Sequence, residues 1–171
     1  MDRRRPVAPG RPDGTGAVRR ICTSHRMTAA LHAFPSAEWV AAYGAAINAS
    51  DDYRTASTEW THGAVALVLP AAPSIGVPED VAIWLDLDRG VCRAARLLPR
   101  QDAQQAPFIL TAEYRYWKQI LKKELGPIAG IMQRKVALQG SLPIVVRFIK
   151  SAEALVDAAT RVPTRFLDEA K

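Results

Sequence analysis

A chain of 171 residues with 49% hydrophobic and 23% charged residues has globular composition, long enough for one domain with a substantial core and too short for two. No apolar run nears the roughly 18–20 residues needed to span a bilayer, and the distant cysteines Cys22 and Cys92 read as free thiols rather than a disulfide framework. The net charge is +6, but residues 1–26 carry seven arginines against two aspartates, a net +5; the remainder is near neutral at +1, which argues against nucleic acid as a partner of the body.

Residues 1–33 are expected to form a disordered leader rich in Arg, Pro and Gly. The stretch MDRRRPVAPGRPDGTGAVRRICTSHR has no periodicity and no apolar core of a secretory signal. It reads as a tail, as a tether for nucleic acid or acidic lipid, or as an extension upstream of a natural start at Met27. Gly10, Gly14 and Gly16 are not followed by the Lys-Ser/Thr of a phosphate loop.

The domain is expected over residues 34–162, with 163–171 as a loosely held tail save for Phe166. Phe34-Pro35-Ser36 opens a first helix. Ser36 is its cap, Glu38 sits in its first turn, and Trp39, Tyr43 and Ile47 share one face. Asn48 to Asp52 reads as polar turn. Trp60 to Leu69 is β-rich, with Val65, Leu67 and Leu69 on one side and Ala64, Ala66 and Val68 on the other. Val81, Ile83, Leu85 and Leu87 alternate with Ala82, Trp84, Asp86 and Asp88, a period of two. Asp88-Arg89-Gly90 is hairpin chemistry leading into a third strand, Val91 to Leu98, and Pro99 to Pro107 reads as polar loop.

Phe108 to Leu110 predicts a short fourth strand, and Thr111 a cap for a helix whose stripe is Tyr114, Trp117, Ile120 and Leu121. Gly126-Pro127 stops that helix and starts a second, short one bearing Ile128, Ile131 and Met132. Lys135 to Gln139 alternates again, Gly140-Ser141 turns the chain, and Leu142 to Ala159 predicts one long helix ended by Pro163. The order predicts an α+β fold, a mostly antiparallel sheet with helices packed on one face.

Catalytic or metal chemistry finds little footing. His25, His32 and His62 are scattered, and Cys22-x-x-His25 lies in the leader. Asp86-x-Asp88 reads either as a metal pair or as the solvated side of a strand. Ser57, His62 and Asp51 are the residue types of a triad, without a nucleophile elbow. No catalytic residue, metal site or cofactor is expected.

The ordering and the residues Thr111, Glu113, Trp117, Leu125-Gly126-Pro127, Ile131-Met132, Lys135-Val136, Gly140-Ser141 and Leu142 resemble the sterol carrier protein type 2 family of intracellular lipid-binding domains. The resemblance runs from about Phe34 to Val162 and is most specific from Phe108 onward. Two positions depart from the family pattern. Arg134 stands where a glycine precedes the lysine, which excludes a glycine-only backbone conformation there. Ser141 stands where Asp or Asn follows the glycine, and its hydroxyl is expected to cap the last helix.

The resemblance implies a five-stranded sheet roofed by helices, enclosing a hydrophobic tunnel. It implies non-catalytic binding of a fatty acid, acyl-CoA or sterol-like lipid, for transport or presentation in the cytoplasm. The alternative is an accessory domain presenting such a substrate to a lipid-metabolising partner enzyme. Expected ligand-contacting residues are Trp84, Phe108, Trp117, Leu121, Ile131, Met132, Leu142, Val146 and Ile149. Trp84 faces away from Ile83 and Leu85, so it lines the tunnel mouth, lies under a loop or is exposed. Transient membrane contact would use Lys118, Lys122 and Lys123 near Trp117, with Arg147 and Lys150 beside the last helix; the plainer reading is a solvated face.

Overall fold

In the computed structural model, which describes residues 30–169, the chain runs β1 (His32–Phe34), α1 (Ala37–Asn48), α2 (Asp51–Ala56), β2 (Val65–Leu69), β3 (Val81–Asp88), β4 (Val91–Pro99) and β5 (Phe108–Thr111). It continues with α3 (Tyr114–Leu121), α4 (Pro127–Met132), β6 (Ala137–Gln139), α5 (Leu142–Arg147), α6 (Ile149–Thr160) and β7 (Thr164–Phe166). The expectations for the leader up to residue 29, with Cys22 and His25, lie outside the described residues.

Period-two alternation builds the sheet. Its order is β4-β3-β2-β5-β6, with every neighbouring pair antiparallel except β2 and β5. Register places Leu67 between Ile83 and Leu110, and Ala66 between Trp84 and Ile109. One face therefore carries large aliphatic side chains, and the other the alanines Ala66 and Ala82 with Val68, Ile109 and Trp84 around them. The β3–β4 hairpin turns through Arg89 and Gly90, both at positive φ. A side chain at Gly90 would meet the Arg54 carbonyl oxygen at 2.6 Å, so the turn needs glycine for space as well as for φ.

The helices cover the aliphatic face. Ser36 caps α1, accepting from the Trp39 amide at 3.1 Å, and Phe34 packs edge-on against Trp39 with ring centroids 4.7 Å apart. The opposite face is closed by residues 100–105, a 3-10 turn rather than the expected polar loop. Its Ala103, with Ala106 just after it, packs with Ala66, Val68, Ala82 and Ile109, and Trp84 lies against that cluster.

Several local expectations are corrected. Asn48 to Asp52 is not only a turn: Ser50 accepts from the Tyr53 amide at 3.2 Å and caps α2, whose first turn holds Asp51 and Asp52. Thr111 ends β5, paired with Ala137, and α3 starts after Glu113. The predicted long last helix is two helices, because Phe148 at φ −100°, ψ 32° interrupts it. The Ser141 hydroxyl makes no capping bond; the residue two places on is Pro143, which has no N–H to offer. Residues 164–166 are not loose but pair in parallel with β1. The Thr164 hydroxyl receives the Trp39 indole N–H at 2.8 Å, and the buried Phe166 ring lies 6.4 Å from Phe34.

Candidate functional site

Between the aliphatic face of the sheet and the helices lies an internal cavity of about 120 Å³. Its floor is Leu67 of β2, Ile83, Leu85 and Leu87 of β3, and Phe108 and Leu110 of β5. The roof brings Tyr43 from α1, Tyr53 from α2, Trp117 and Leu121 from α3, Ile131 from α4, and Leu155 and Val156 from α6. Among the described residues, no aspartate, glutamate, lysine or arginine lines it.

The large aromatic walls are held from outside. Trp117 Nε1 donates to the Val68 carbonyl at 3.0 Å, Trp60 Nε1 to the Gly63 carbonyl at 3.0 Å, and the Tyr43 hydroxyl to the Leu155 carbonyl at 3.0 Å. Ser151 Oγ likewise donates to the Ala56 carbonyl at 2.9 Å. These four polar atoms are satisfied by backbone, so what their side chains turn inward is carbon. Burial raises the Tyr43 phenol far above its ordinary value and pushes Tyr53 up to about 12, so both stay neutral. Ser57 Oγ is fully buried and without a hydrogen-bond partner among the described residues. It neighbours the Tyr53 hydroxyl without meeting hydrogen-bond geometry.

Of the sequence-predicted residues, Phe108, Trp117, Leu121 and Ile131 meet at this cavity. Trp84 does not: it lies on the other face of the sheet, under the 100–105 turn. Met132, Val146 and Ile149 point outward, with 70%, 46% and 38% of their surface exposed. The break at Phe148 accounts for the last two, because it puts Val145 and Phe148 inward in place of Val146 and Ile149. Leu142 lines a second hollow, of about 370 Å³ and open to solvent, together with Ile131, Arg134, Val136 and Leu138.

Sequence reasoning missed Tyr53, Trp60, Phe148 and Ser151. Trp60 and Phe148 sit with ring centroids 5.1 Å apart, and Trp60 is 5.3 Å from Phe108. Their aromatic bulk was the available signal, but nothing local ties Phe148 to a residue so far back in the chain.

The other candidate chemistries resolve into packing and ion pairs. Asp86 and Asp88 face Arg93, at 2.8 and 3.8 Å. Asp51 pairs with Arg54 on the surface while Ser57 is buried, so the triad types do not converge. Cys92 is buried, and burial raises its thiol to about 11. The basic face near Trp117 is largely neutralised: Lys118 and Lys122 hold Asp168 and Glu169, Lys123 holds Asp157, and Arg147 reaches Glu59 at 3.2 Å. No helix among the described residues is long and apolar enough to cross a membrane.

Residues 47–153 match the model of the SCP-2 sterol transfer family. A crystal structure of sterol carrier protein 2 is 30% identical, with 74% of this chain and 97% of that chain covered and a TM-score of 0.69. The solution structure of a conserved hypothetical protein, possibly a sterol carrier protein, from Thermus thermophilus is also 30% identical, covering 76% of this chain and 90% of its own at a TM-score of 0.69. No curated protein matches the chain.

Proposed function

This chain belongs to the SCP-2 sterol transfer family, and from that premise we propose that it carries a hydrophobic ligand, a fatty acyl or sterol-like lipid, held without covalent chemistry beneath its helical roof. The observation that carries this reading is a cavity lined by uncharged side chains, with the polar atoms of Trp117, Trp60 and Tyr43 already bonded elsewhere. Such a wall offers a lipid chain only dispersion and release from water, about 0.8 kcal/mol for each methylene buried.

Size sets the next step. A cavity of about 120 Å³ is close to the ~150 Å³ apolar void that accepts one benzene. A long chain needs the roof to part. The α4–α6 region supports that motion: its helices α4 and α5 are six residues each, the roof is interrupted at Phe148, and Met132, Val146 and Ile149 already lie at the surface. Those exposed apolar side chains also support a transient meeting with a bilayer, which delivery of a lipid requires.

Solvent extraction of detergent-free protein and mass spectrometry of the extract test the reading. Stoichiometric lipid is expected, with Ile131→Arg abolishing it while circular dichroism remains native. A clean extract, together with no uptake of a fluorescent fatty acid, would overturn it.

A further inference from the structure

We propose that the open hollow between α4, β6 and α5 is the mouth of the cavity, and that Arg134 there receives the anionic head, carboxylate or phosphate, of a single-chain amphipath whose tail lies inside. This inference rests on the carrier reading and adds to it the direction of entry and the class of head group.

Three observations carry it. The hollow and the cavity share two lining residues, Ile131 and Val136, so a wall one side chain thick, made by these two, separates outside from inside. Among the described residues, Arg134 is the one charged side chain lining either space, and no carboxylate lines them. Nor does Arg134 have a carboxylate partner among the described residues, unlike Lys118, Lys122, Lys123 and Arg147. A cation beside the mouth of an uncharged cavity complements an acid, whereas to a neutral sterol or ester it offers only a weaker hydrogen bond.

The backbone adds a further argument. Arg134 sits at φ 58°, directly after α4. Its amide bonds the Ile131 carbonyl at 3.0 Å and the Lys135 amide bonds the Gly130 carbonyl at 2.9 Å, the paired bonds of a glycine-type helix ending. The expectation that an arginine excludes this conformation is thus corrected: the turn keeps its left-handed residue, and the side chain bears the strain. Glycine would hold the same turn without that cost. Strain kept at a charged residue on the rim of a hollow is where a binding role is looked for.

Tryptophan emission, titrated with palmitate, palmitoyl-CoA and 1-hexadecanol, tests the proposal at constant chain length. The native protein is expected to bind at least one of the two acids about fivefold more tightly than the alcohol, the scale of one partly exposed ion pair. The gap shrinks as salt is raised, and whichever acid shows the larger gap identifies the head. Arg134→Gly and Arg134→Gln both abolish the gap and leave hexadecanol binding unchanged. Arg134→Gly also melts about 2–4 °C higher, because the turn is relieved. Equal binding of all three ligands by the native protein, or a gap that survives in Arg134→Gly, overturns the inference and leaves the carrier reading standing. Failure of all three to bind overturns the carrier reading, and the inference with it.

Discussion

The two faces of the central sheet are built from the same strands and end in opposite states. On one, Ala66, Val68 and Ala82 are sealed by Ala103 from a six-residue turn and by Ala106 just after it, all of them buried. On the other, Leu67, Ile83, Leu85 and Phe108 lie under a roof of helices and yet leave a hollow. Small residues close a space because a backbone can approach them. Large ones leave a gap when their positions are fixed from outside, as Trp117, Trp60 and Tyr43 are by bonds to backbone carbonyls. Emptiness here is a consequence of anchoring, not of missing bulk.

The largest effect expected from this contrast is at the anchors. Trp117→Ala removes a buried indole and its bond to Val68, and should cost about 3–5 kcal/mol in denaturant unfolding. Trp84→Ala, on the sealed face, removes a half-buried ring and should cost about 1–2 kcal/mol. The sharper distinction is in binding: lipid uptake is lost in the first and kept in the second. A Trp84→Ala protein that folds but no longer takes up lipid would break the comparison.

Filling gives a smaller effect, and one that differs between the two faces. Ala66 is fully buried between Trp84 and Ile109, so Ala66→Leu overpacks and should destabilise by about 1–3 kcal/mol. Ala152 lines the cavity. Ala152→Leu should leave stability within about 1 kcal/mol of native, since the new carbons enter space that was empty. It should nonetheless weaken lipid binding, measured by displacement of a fluorescent fatty acid. Equal destabilisation by both substitutions would mean that the helical face is as tightly packed as the other.

Much of this contrast was legible in the sequence. The alternation along Val65–Leu69 and Val81–Asp88 separates the two faces without any tertiary information, and Asp88-Arg89-Gly90 and Gly126-Pro127 mark a hairpin and a helix start where both occur. The elements that escaped are short or non-local. The six-residue α2 carries less than two turns of periodicity, and β1 and β7 are three-residue strands that recognise each other across the whole domain. No glycine or proline flags the break at Phe148, so helical spacing placed Val146 and Ile149 on the inner face. Trp84 was misplaced for a different reason. Its strand face was read correctly, but that an alanine-bearing turn covers it depends on how residues 100–105 fold back.

The smallest expected effect concerns how each face is fastened at its edge. Asp80 bonds Arg100 at 2.8 Å and the Ala71 amide at 2.7 Å, tying down the start of the turn that seals Trp84. Glu169 meets Lys122 at 2.6 Å and Lys118 at 2.8 Å, tying the end of β7 to α3. Arg100 first, then the Ala71 amide, holds Asp80 below its ordinary 3.8; Lys118 first, then Lys122, holds Glu169 below its ordinary 4.5. For a carboxyl lowered in the folded state, the stabilisation is complete above the ordinary value and is lost as pH falls through the folded one. Both fastenings should therefore hold at neutral pH and loosen below about pH 4. Both carboxyls are reached by solvent, so the loosening should be local, and smaller in high salt, where screening already weakens the pairs. Indole N–H resonances of Trp84 report the first and the Leu167 amide the second, in a pH titration by NMR. Asp80→Asn should shift the Trp84 signal at neutral pH and leave lipid affinity unchanged. Glu169→Gln should move Leu167 instead. If Asp80→Asn altered lipid affinity, the two faces would be coupled through the sheet, and the separation of a sealed side from a binding side would fail.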